Sequence, residues 1–563
     1  MTTTEHLETR ALVDAPAPAV APEHAVEVPS PPRDRGRLLS VVVVLMALTP
    51  LVVGAVSIIR RGFPPGALFG DRAILGLTAG NAWRAPVLLG PYSRFYWHHP
   101  GPLYFYVLNV LSAIFGGGTV GLVLGAVAIN VSASAGILVL ALRRGGRALL
   151  VWAAILLTAY LFVIDPFPFD IWNPSVTILP FALVLLLAWS VACGDWWAAP
   201  WLALFGSFVV QTHVGLVPGV AMALGFTVVV CVVRQRRSEA PLAVDERRAL
   251  RRSLATSAVV TFVVWLPPLV EELTSRRGNL TELARFFSRP GSPHSLAEGL
   301  TNTGLQATLM LRGVFESVSL RADAHQGLAF ALVVSAVAFA GAVIAALRMR
   351  STKAAALLAL VAFELVVGVY GVTKIVGPVQ YYLVQWISAV GFVLWIAMGN
   401  AVLELVRARR VGWSRGRTWS RAALAVAFVV LCVGAVRAVP GHAGLINEDL
   451  DVPNNRALFG YVPTKQLLAA TDAGRIVVLR NDEATAWEVL AADALMLEQH
   501  GRRVQIVETQ ETRLLFDDAR LVRNAPADAQ VLSFRERARP DVRAGDALIA
   551  RQGKWSIVRV GED

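Results

Sequence analysis

Cysteine is almost absent from this sequence of 563 residues. The three cysteines, Cys193, Cys231 and Cys432, form no CxxC pair, and none of them lies in the C-terminal region. A disulfide framework and a thiolate metal site are therefore excluded. The sequence also lacks a P-loop and a GxGxxG motif after a strand, so the machinery of nucleotide hydrolysis is not visible.

Charged residues are also scarce, at 16% against 55% hydrophobic residues, and the mean hydropathy is +0.56. This composition excludes a soluble globular protein and predicts a polytopic membrane protein. Lysine occurs only four times, so the formal net charge of +12 is due to arginines, which cluster in short connections between apolar segments. This distribution follows the positive-inside rule and predicts contact with anionic membrane lipids rather than with nucleic acid.

About eleven apolar segments are predicted to span the membrane as helices, because a span needs about 20 residues. The segment 103–115 would be only about 20 Å long as a helix, so we interpret it as a surface or re-entrant helix. The basic connections then all fall on the cytoplasmic side, with the amino terminus inside and the carboxyl terminus outside. The predicted spans lie near 38–59, 119–141, 148–166, 174–192, 199–213, 214–233, 253–270, 328–347, 354–372, 381–403 and 421–439.

Three regions follow from this pattern. Residues 1–37 are polar and rich in Ala, Pro and Glu, which indicates a disordered cytoplasmic tail. Residues 38–440 form the transmembrane domain of an all-α fold. Residues 441–563 are far less hydrophobic and alternate short apolar runs with a helical segment at 485–501, which predicts a small extracytoplasmic α/β domain.

The first loop, residues 60–102, is where we expect the chemistry, because its polar and aromatic side chains must face water or a cavity. Asp71 opens an amphipathic stretch, and its carboxylate could act as a general base near the outer membrane surface. The alternative is an N-cap role for Asp71. The polar and aromatic residues of this loop that we consider are Asp71, Arg72, Arg84, Tyr92, Arg94, Trp97, His98 and His99.

Aromatic residues and a doubled histidine end this loop. Tyr92 and Trp97 could line a sugar or lipid pocket, and the alternative is an aromatic belt at the membrane interface. His98 and His99 could ligate a divalent ion, although adjacent side chains seldom point at one metal.

Further polar residues interrupt or flank later spans. Asp170 and Asn173 follow the span at 148–166, where they could bind substrate or form a turn. His213 lies inside an apolar stretch, so it should face a cavity or another helix.

Lys374 lies in a short connection on the predicted outer face, where it could hold a lipid phosphate or act as a snorkelling anchor. Residues 271–327, on the same predicted face, are predicted to form a solvated loop.

The chain combines an outward first span, an Asp in the first outer loop, an H-P-x-L-type motif before a short helix, and a dozen-odd spans that end in an outer domain. This pattern resembles the GT-C glycosyltransferases, near the branch of family 39 protein mannosyltransferases, aminoarabinose transferases and RgtA-like enzymes. The resemblance covers roughly 38–400 and extends to an actinobacterial group of such membrane proteins. The sequence segments that resemble this actinobacterial group are GDRAILGL, LLGPYSRFYWHHPGPLYFY, WNPSVTILPF and VQTHVGLVP.

The resemblance implies transfer of a sugar from a polyprenyl-phosphate donor to a hydroxyl of a glycan, lipid or protein acceptor, outside the bacterial plasma membrane. Asp71 matches the acidic residue of the family's first loop, which would take the proton of the acceptor. Many members carry Asp-Glu where this chain has Asp71-Arg72, so no cofactor is predicted with certainty and a divalent cation stays an open alternative. Arg72, Arg94 and Lys374 are the candidates to stabilise the departing phosphate.

Two other classes of function stay open. A transporter or flippase of a lipid-linked sugar would also need polar residues inside the membrane domain, although matching broken helices in two halves would then be expected. A catalytically inactive scaffold that presents the C-terminal domain is the other alternative.

Overall fold

The computed structural model describes most of the chain. Residues 1–32 of the predicted tail and most of the predicted span at 421–439 lie outside the described residues, and residues 33–37, which were predicted to belong to the disordered tail, are part of the first helix. The described residues are 33–63, 67–164, 167–237, 243–289, 294–316, 325, 327–409, 426, 430, 433, 434, 460–482, 486–536 and 545–561.

Within the described residues, eight helices are long and apolar enough to cross a membrane, by length and composition. The chain is therefore a multi-pass membrane protein, as predicted. The helices of this part are α1 Arg33–Arg61, α2 Asp71–Asn81, α3 Leu103–Ile114, α4 Gly118–Val163, α5 Asn173–Val176, α6 Ile178–Ala192, α7 Ala199–Thr212, α8 Val217–Arg237, α9 Val244–Thr274, α10 Asn279–Ser288, α11 Leu296–Ala307, α12 Leu309–Glu316, α13 Leu328–Arg348, α14 Thr352–Thr373, α15 Tyr381–Val384 and α16 Trp386–Arg409.

Helix α4 consists of two spans rather than one. Its 46 residues would extend about 69 Å, more than twice the hydrocarbon thickness, if the helix were continuous. Gly146 breaks it with a φ of 64° and a ψ of −165°, a conformation that suits glycine. The guanidinium of Arg407 donates to the carbonyl oxygen of Gly145 at this break. The two separate spans predicted on either side of this glycine are therefore present.

Two apolar helices are too short to count as ordinary spans. Helix α7 has 14 residues, and it corresponds to the short span predicted at 199–213. Helix α3 has 12 residues, or about 18 Å, so it cannot cross the hydrocarbon core alone. The prediction that α3 is not a span agrees with this length.

The basic connections meet at one end of the helix bundle. Arg144 forms an ion pair with Asp195 at 3.1 Å, and Arg234 donates to the carbonyl oxygen of Ala192 at 2.7 Å. The indole nitrogen of Trp189 donates to the carbonyl oxygen of Lys353 at 2.9 Å. We call this end of the bundle the basic end. The opposite end, which carries the first loop, is called the loop face.

The prediction of a solvated loop at 271–327 is wrong for the described part of that segment. It contains helices α10, α11 and α12. Ser295 caps α11 by accepting a hydrogen bond from the N–H of Glu298, whose carboxylate accepts from the N–H of Ser295 in return. The S-x-x-E spacing of this capping box is present in the sequence, but the many charged residues of the segment favoured the interpretation as a solvated loop.

The C-terminal domain is an α/β domain, as predicted. Its helices are α17 Thr464–Ala469, α18 Trp487–Gln499 and α19 Thr512–Leu515, and its strands are β1 Ile476–Asn481, β2 Arg503–Val507, β3 Leu521–Val522, β4 Gln530–Glu536, β5 Ala547–Gln552 and β6 Trp555–Arg559. They form one six-stranded sheet in the order β3-β2-β1-β4-β6-β5. The first four strands in this order are parallel, and β6 and β5 extend the sheet antiparallel.

Helix α18 docks this domain onto helix α2 of the membrane domain. Gly76 lies so close to Leu495 that a Cβ at this position would contact the leucine at 3.2 Å. Arg520 donates to the carbonyl oxygen of Leu77 at 3.0 Å and pairs with Glu498 at 2.7 Å. Asp517 also pairs with this buried arginine. A guanidinium with two carboxylate partners thus links the two parts of the chain.

We expect Arg520→Leu to loosen the docking of the C-terminal domain. Removing this guanidinium leaves two partly buried carboxylates without their partner, which should cost about 2–3 kcal/mol, somewhat less than for fully buried pairs. The thermal unfolding midpoint should fall, and hydrogen exchange in α2 should become faster. Arg523→Leu is the matched control, because that side chain is 86% exposed. Equal effects of the two substitutions would contradict the docking role.

Candidate functional site

Asp71 lies in the first turn of α2, at the loop face. Gly70 precedes it with a φ of 53°, which suits glycine, and occupies the N-cap position. The alternative in which Asp71 caps the helix is therefore not what the structure shows. A carboxylate in the first turn interacts favourably with the helix dipole.

Two donors hold the carboxylate of Asp71. The Tyr92 hydroxyl donates to Oδ1, and the indole nitrogen of Trp172 donates to Oδ2 at 3.0 Å. Burial raises the pKa of Tyr92 well above its ordinary value, and the negative charge of Asp71 adds to the shift, so the phenol stays protonated and acts as the donor. Because a carboxylate oxygen can accept more than one hydrogen bond, a substrate hydroxyl could still donate to it.

Trp172 is held in turn by an ion pair. Arg72 donates to both oxygens of Asp170 at 2.7 Å, and the guanidinium lies 5.3 Å from the centre of the Trp172 ring. The backbone N–H of Trp172 also donates to Asp170, at 2.9 Å. The charge of Arg72 is thus balanced by Asp170, and neither residue lines the cavity described below.

The adjacent histidines point to different partners. His98 Nε2 lies 3.2 Å from the carbonyl oxygen of Leu514, in the C-terminal domain. His99 Nδ1 accepts a hydrogen bond from the N–H of Val214 at 3.1 Å, and its ring lies 4.9 Å from that of His213. Within the described residues, no group of three His, Cys, Asp or Glu side chains could hold a metal ion. A shared metal between His98 and His99 has no support from this geometry.

Trp97 of the first loop and Asn173 of α5 each contact a neighbouring helix. The Trp97 ring lies 5.5 Å from the ring of Phe286 in α10 and 5.5 Å from the ring of His99. The side-chain nitrogen of Asn173 donates to the carbonyl oxygen of Thr212 at 3.1 Å. Trp97 thus packs the first loop against α10, and Asn173 connects the start of α5 to the end of α7.

A cavity of about 1010 Å³ opens beside Asp71. At the loop face its wall is polar and aromatic, whereas residues such as Val217, Val372 and Ile387 extend it between α8, α14 and α16. Eight of the eleven predicted site residues line it. They are Asp71, Tyr92, Arg94, Trp97, His99, Asn173, His213 and Lys374.

Three cations line the same cavity. Arg94 comes from the first loop, Arg289 follows α10, and Lys374 follows α14. Arg94 lies over the ring of Phe95 and Lys374 over that of Tyr370, at 5.0 and 5.4 Å. In the part of the chain that the structure describes, none of the three pairs with a carboxylate. They therefore offer positive charge to an anionic ligand.

Other lining residues were not assigned to the site from the sequence. The ring centre of Tyr382 lies 5.2 Å from that of Trp172. Burial raises the pKa of the Tyr382 phenol, and the positive charge of Arg94 opposes this shift. Trp487 belongs to the C-terminal domain. The aromatic character of VQYY and of WNPS was a usable signal for Tyr382 and Trp172, but no local pattern connects Trp487 with a loop about 400 residues earlier.

Comparison with solved structures places this arrangement among known folds. The fold is similar to that of ArnT from Cupriavidus metallidurans in the apo state, with a TM-score of 0.53 and 14% identity over 93% of this chain and 98% of that chain. The structure of that ArnT bound to undecaprenyl phosphate gives a TM-score of 0.53 and 14% identity over 92% and 98%. The chain thus shares the fold of these ArnT structures, and the predicted all-α membrane architecture with a C-terminal α/β domain is confirmed.

Other comparisons add little. An oligosaccharyltransferase from Archaeoglobus fulgidus gives a TM-score of 0.35 and 14% identity over 79% of this chain and 64% of that chain. No family model matches the sequence. No curated protein matches it significantly.

The buried histidines predict a pH dependence of stability. Burial lowers the pKa of His98 from 6.5 to about 4, so the unfolded chain binds more protons between these two values. The free energy of unfolding should therefore fall as the pH drops from about 6.5 to about 4. We expect His98→Gln to remove part of this loss, measured as unfolding midpoints at pH 7.5 and 5.

The exposed His500 is the matched control, because it lies on the surface of the C-terminal domain. The effect of His98→Gln is measured relative to that of His500→Gln. An unchanged dependence in His98→Gln would show that the His98 side chain does not cause it.

Proposed function

We propose that this protein is a membrane glycosyltransferase that moves a sugar from a polyprenyl-phosphate donor to an acceptor hydroxyl, with Asp71 as the general base. One observation carries the proposal. The Asp71 carboxylate, held by Tyr92 and Trp172, faces a cavity that combines three cations with an apolar end between membrane helices.

The cavity suits a donor that is both lipid and anion. Its apolar part between α8, α14 and α16 would take the first units of a polyprenyl chain. Arg94, Arg289 and Lys374 would bind the phosphate and stabilise the charge that grows on it as the sugar departs. The fold likeness to an ArnT structure that contains undecaprenyl phosphate supports this choice of donor.

The transfer needs one carboxylate. Asp71 accepts the proton of the acceptor hydroxyl while the hydroxyl oxygen forms a bond to the anomeric carbon of the sugar. The bond between that carbon and the phosphate oxygen breaks, and its electron pair leaves with polyprenyl phosphate. A single displacement of this kind inverts the anomeric centre. Because the phosphate leaves as an anion, no acid is required to protonate the leaving group, in contrast to glycosidases.

Arg72 and Asp170 act as positioning residues in this proposal. Their bidentate pair fixes the backbone and the ring of Trp172, which donates to Asp71. This role replaces the substrate-binding roles that we expected for both residues. His98 contributes by contacting the C-terminal domain through Leu514.

The reaction takes place at the outer surface of the plasma membrane in this proposal. The loop face lies opposite the basic end, where Arg144, Arg234 and Arg407 meet the connections between spans. By the positive-inside rule the basic end faces the cytoplasm, so Asp71 and the C-terminal domain face outward.

Asp71→Asn should abolish transfer of a labelled sugar from a panel of polyprenyl-phosphate donors to cell-envelope acceptors. Asparagine keeps the size and the hydrogen-bonding oxygen but cannot take the proton, and loss of a general base costs about 10²–10⁴-fold in rate. Asp245→Asn, at an exposed position in the first turn of α9, should keep full activity.

Transfer that survives in Asp71→Asn would leave Asp71 a structural residue. Absence of transfer by the wild type from every donor would favour a transporter or flippase of a lipid-linked sugar. The assay therefore distinguishes the two classes of function.

Replacing the lining cations should weaken donor binding. Loss of one charged hydrogen bond to phosphate corresponds to about tenfold or more in affinity. We expect Lys374→Met to raise the KM for the donor by about tenfold while the KM for the acceptor changes little. Lys353→Met is the matched control, because Lys353 lies near the start of the same helix, at the basic end. A donor KM that is the same in both variants would contradict the phosphate site.

A further inference from the structure

Trp487 belongs to the C-terminal domain but lines the cavity of the membrane domain. It is the first residue of α18, and its side chain is half-buried. Its ring centre lies 6.1 Å from that of Tyr92, with the two rings at 83°. Tyr92 is the residue whose hydroxyl donates to Asp71. One aromatic contact therefore separates the C-terminal domain from the proposed base.

The position of Trp487 is fixed by the docking of its domain. Arg520 binds the backbone of α2, His98 contacts Leu514, and the hydroxyl of Thr119 donates to Gln499 at 3.1 Å. These contacts hold the C-terminal domain against α2, the first loop and α4, and Gln499 is the last residue of α18. The indole is therefore presented to the cavity by a packed helix rather than by a loose tail.

The two parts of the chain contribute different chemistry to the cavity. Arg94, Arg289 and Lys374 all belong to the membrane domain, whereas Trp487 is the residue that the described part of the C-terminal domain adds to the lining. An uncharged ring is a poor partner for phosphate. It is a good partner for an apolar surface that carries polar groups at its rim.

We propose that Trp487 forms the acceptor subsite and that the acceptor is a glycan, whose pyranose ring packs on the indole while one of its hydroxyls reaches Asp71. This inference rests on the proposed function. The face of a pyranose ring carries C–H groups and its rim carries hydroxyls, which matches an aromatic wall beside a carboxylate.

The geometry favours a glycan over the other two acceptor classes. A lipid acceptor would bring a second apolar chain into the part of the cavity that takes the donor lipid. A protein acceptor needs partners for its backbone, and the C-terminal domain offers an aromatic ring there. A glycan needs only the ring and the carboxylate, and it can approach from the water-facing side on which the C-terminal domain lies.

The test compares acceptors and variants with the full-length protein in nanodiscs. A pyranose oligosaccharide, a hydroxyl-containing peptide and a lipid alcohol are offered with one donor that the wild type uses. Trp487→Ala should raise the KM for the oligosaccharide by about tenfold, as loss of an aromatic packing surface predicts. The KM for the donor should not change, and Trp487→Phe should restore most of the acceptor affinity.

Tyr461→Ala is the matched control, because Tyr461 is a 47% exposed aromatic residue of the same domain that does not line the cavity. An unchanged oligosaccharide KM in Trp487→Ala, or the same increase in the control, would overturn the acceptor subsite. Transfer to the peptide or to the lipid alcohol but not to the oligosaccharide would overturn the choice of a glycan.

A separate readout distinguishes this inference from the proposed function. Without acceptor, a working site should slowly transfer the sugar to water and release polyprenyl phosphate. This release should persist in Trp487→Ala, because the donor site and Asp71 are intact, and its selective loss there would overturn an acceptor role. Absence of release and of transfer in the wild type would overturn the proposed function and this inference together.

Discussion

The hydrogen bonds of Tyr92 and Trp172 to the two oxygens of Asp71 are the interaction on which the site depends. Each donor comes from a different part of the chain, so the carboxylate is oriented only when these parts are packed together. The Arg72–Asp170 pair holds Trp172, and the aromatic contact with Trp487 supports Tyr92 from the other side. A single carboxylate is in this way connected to the membrane helices and to the C-terminal domain.

The cavity has an apolar part and a positively charged part, and a lipid-linked phosphate likewise has an apolar part and a charged part. Membrane helices provide its apolar part, and the loop face provides the charges of Arg94, Arg289 and Lys374. These three cations are exposed to the cavity, and no carboxylate among the described residues pairs with them, so they are available to an anionic ligand. The C-terminal domain contributes Trp487, the first residue of its docked helix α18, to the lining of the cavity. In the proposed reaction, the lipid, the phosphate and the acceptor would then occupy neighbouring regions of this cavity.

Hydropathy was enough to predict the membrane class and most of the spans that lie within the described residues, and alternating short apolar runs predicted the α/β character of the last domain, because each depends on local sequence. The charge of Arg72 was also visible, but its ion pair with Asp170 was not, since those residues are 98 positions apart. The same reason applies to Trp487, which reaches the cavity only after two domains dock. The helices between 279 and 316 were missed because a capped amphipathic segment rich in charge looks like a loop.

The most direct measurement is an experimental structure of the full-length protein in nanodiscs with a polyprenyl phosphate bound. The phosphate should lie among Arg94, Arg289 and Lys374, with the lipid chain between α8, α14 and α16 and with Asp71 facing the position of the sugar. A lipid phosphate bound outside this cavity, or at the basic end of the bundle, would contradict a transfer reaction at Asp71.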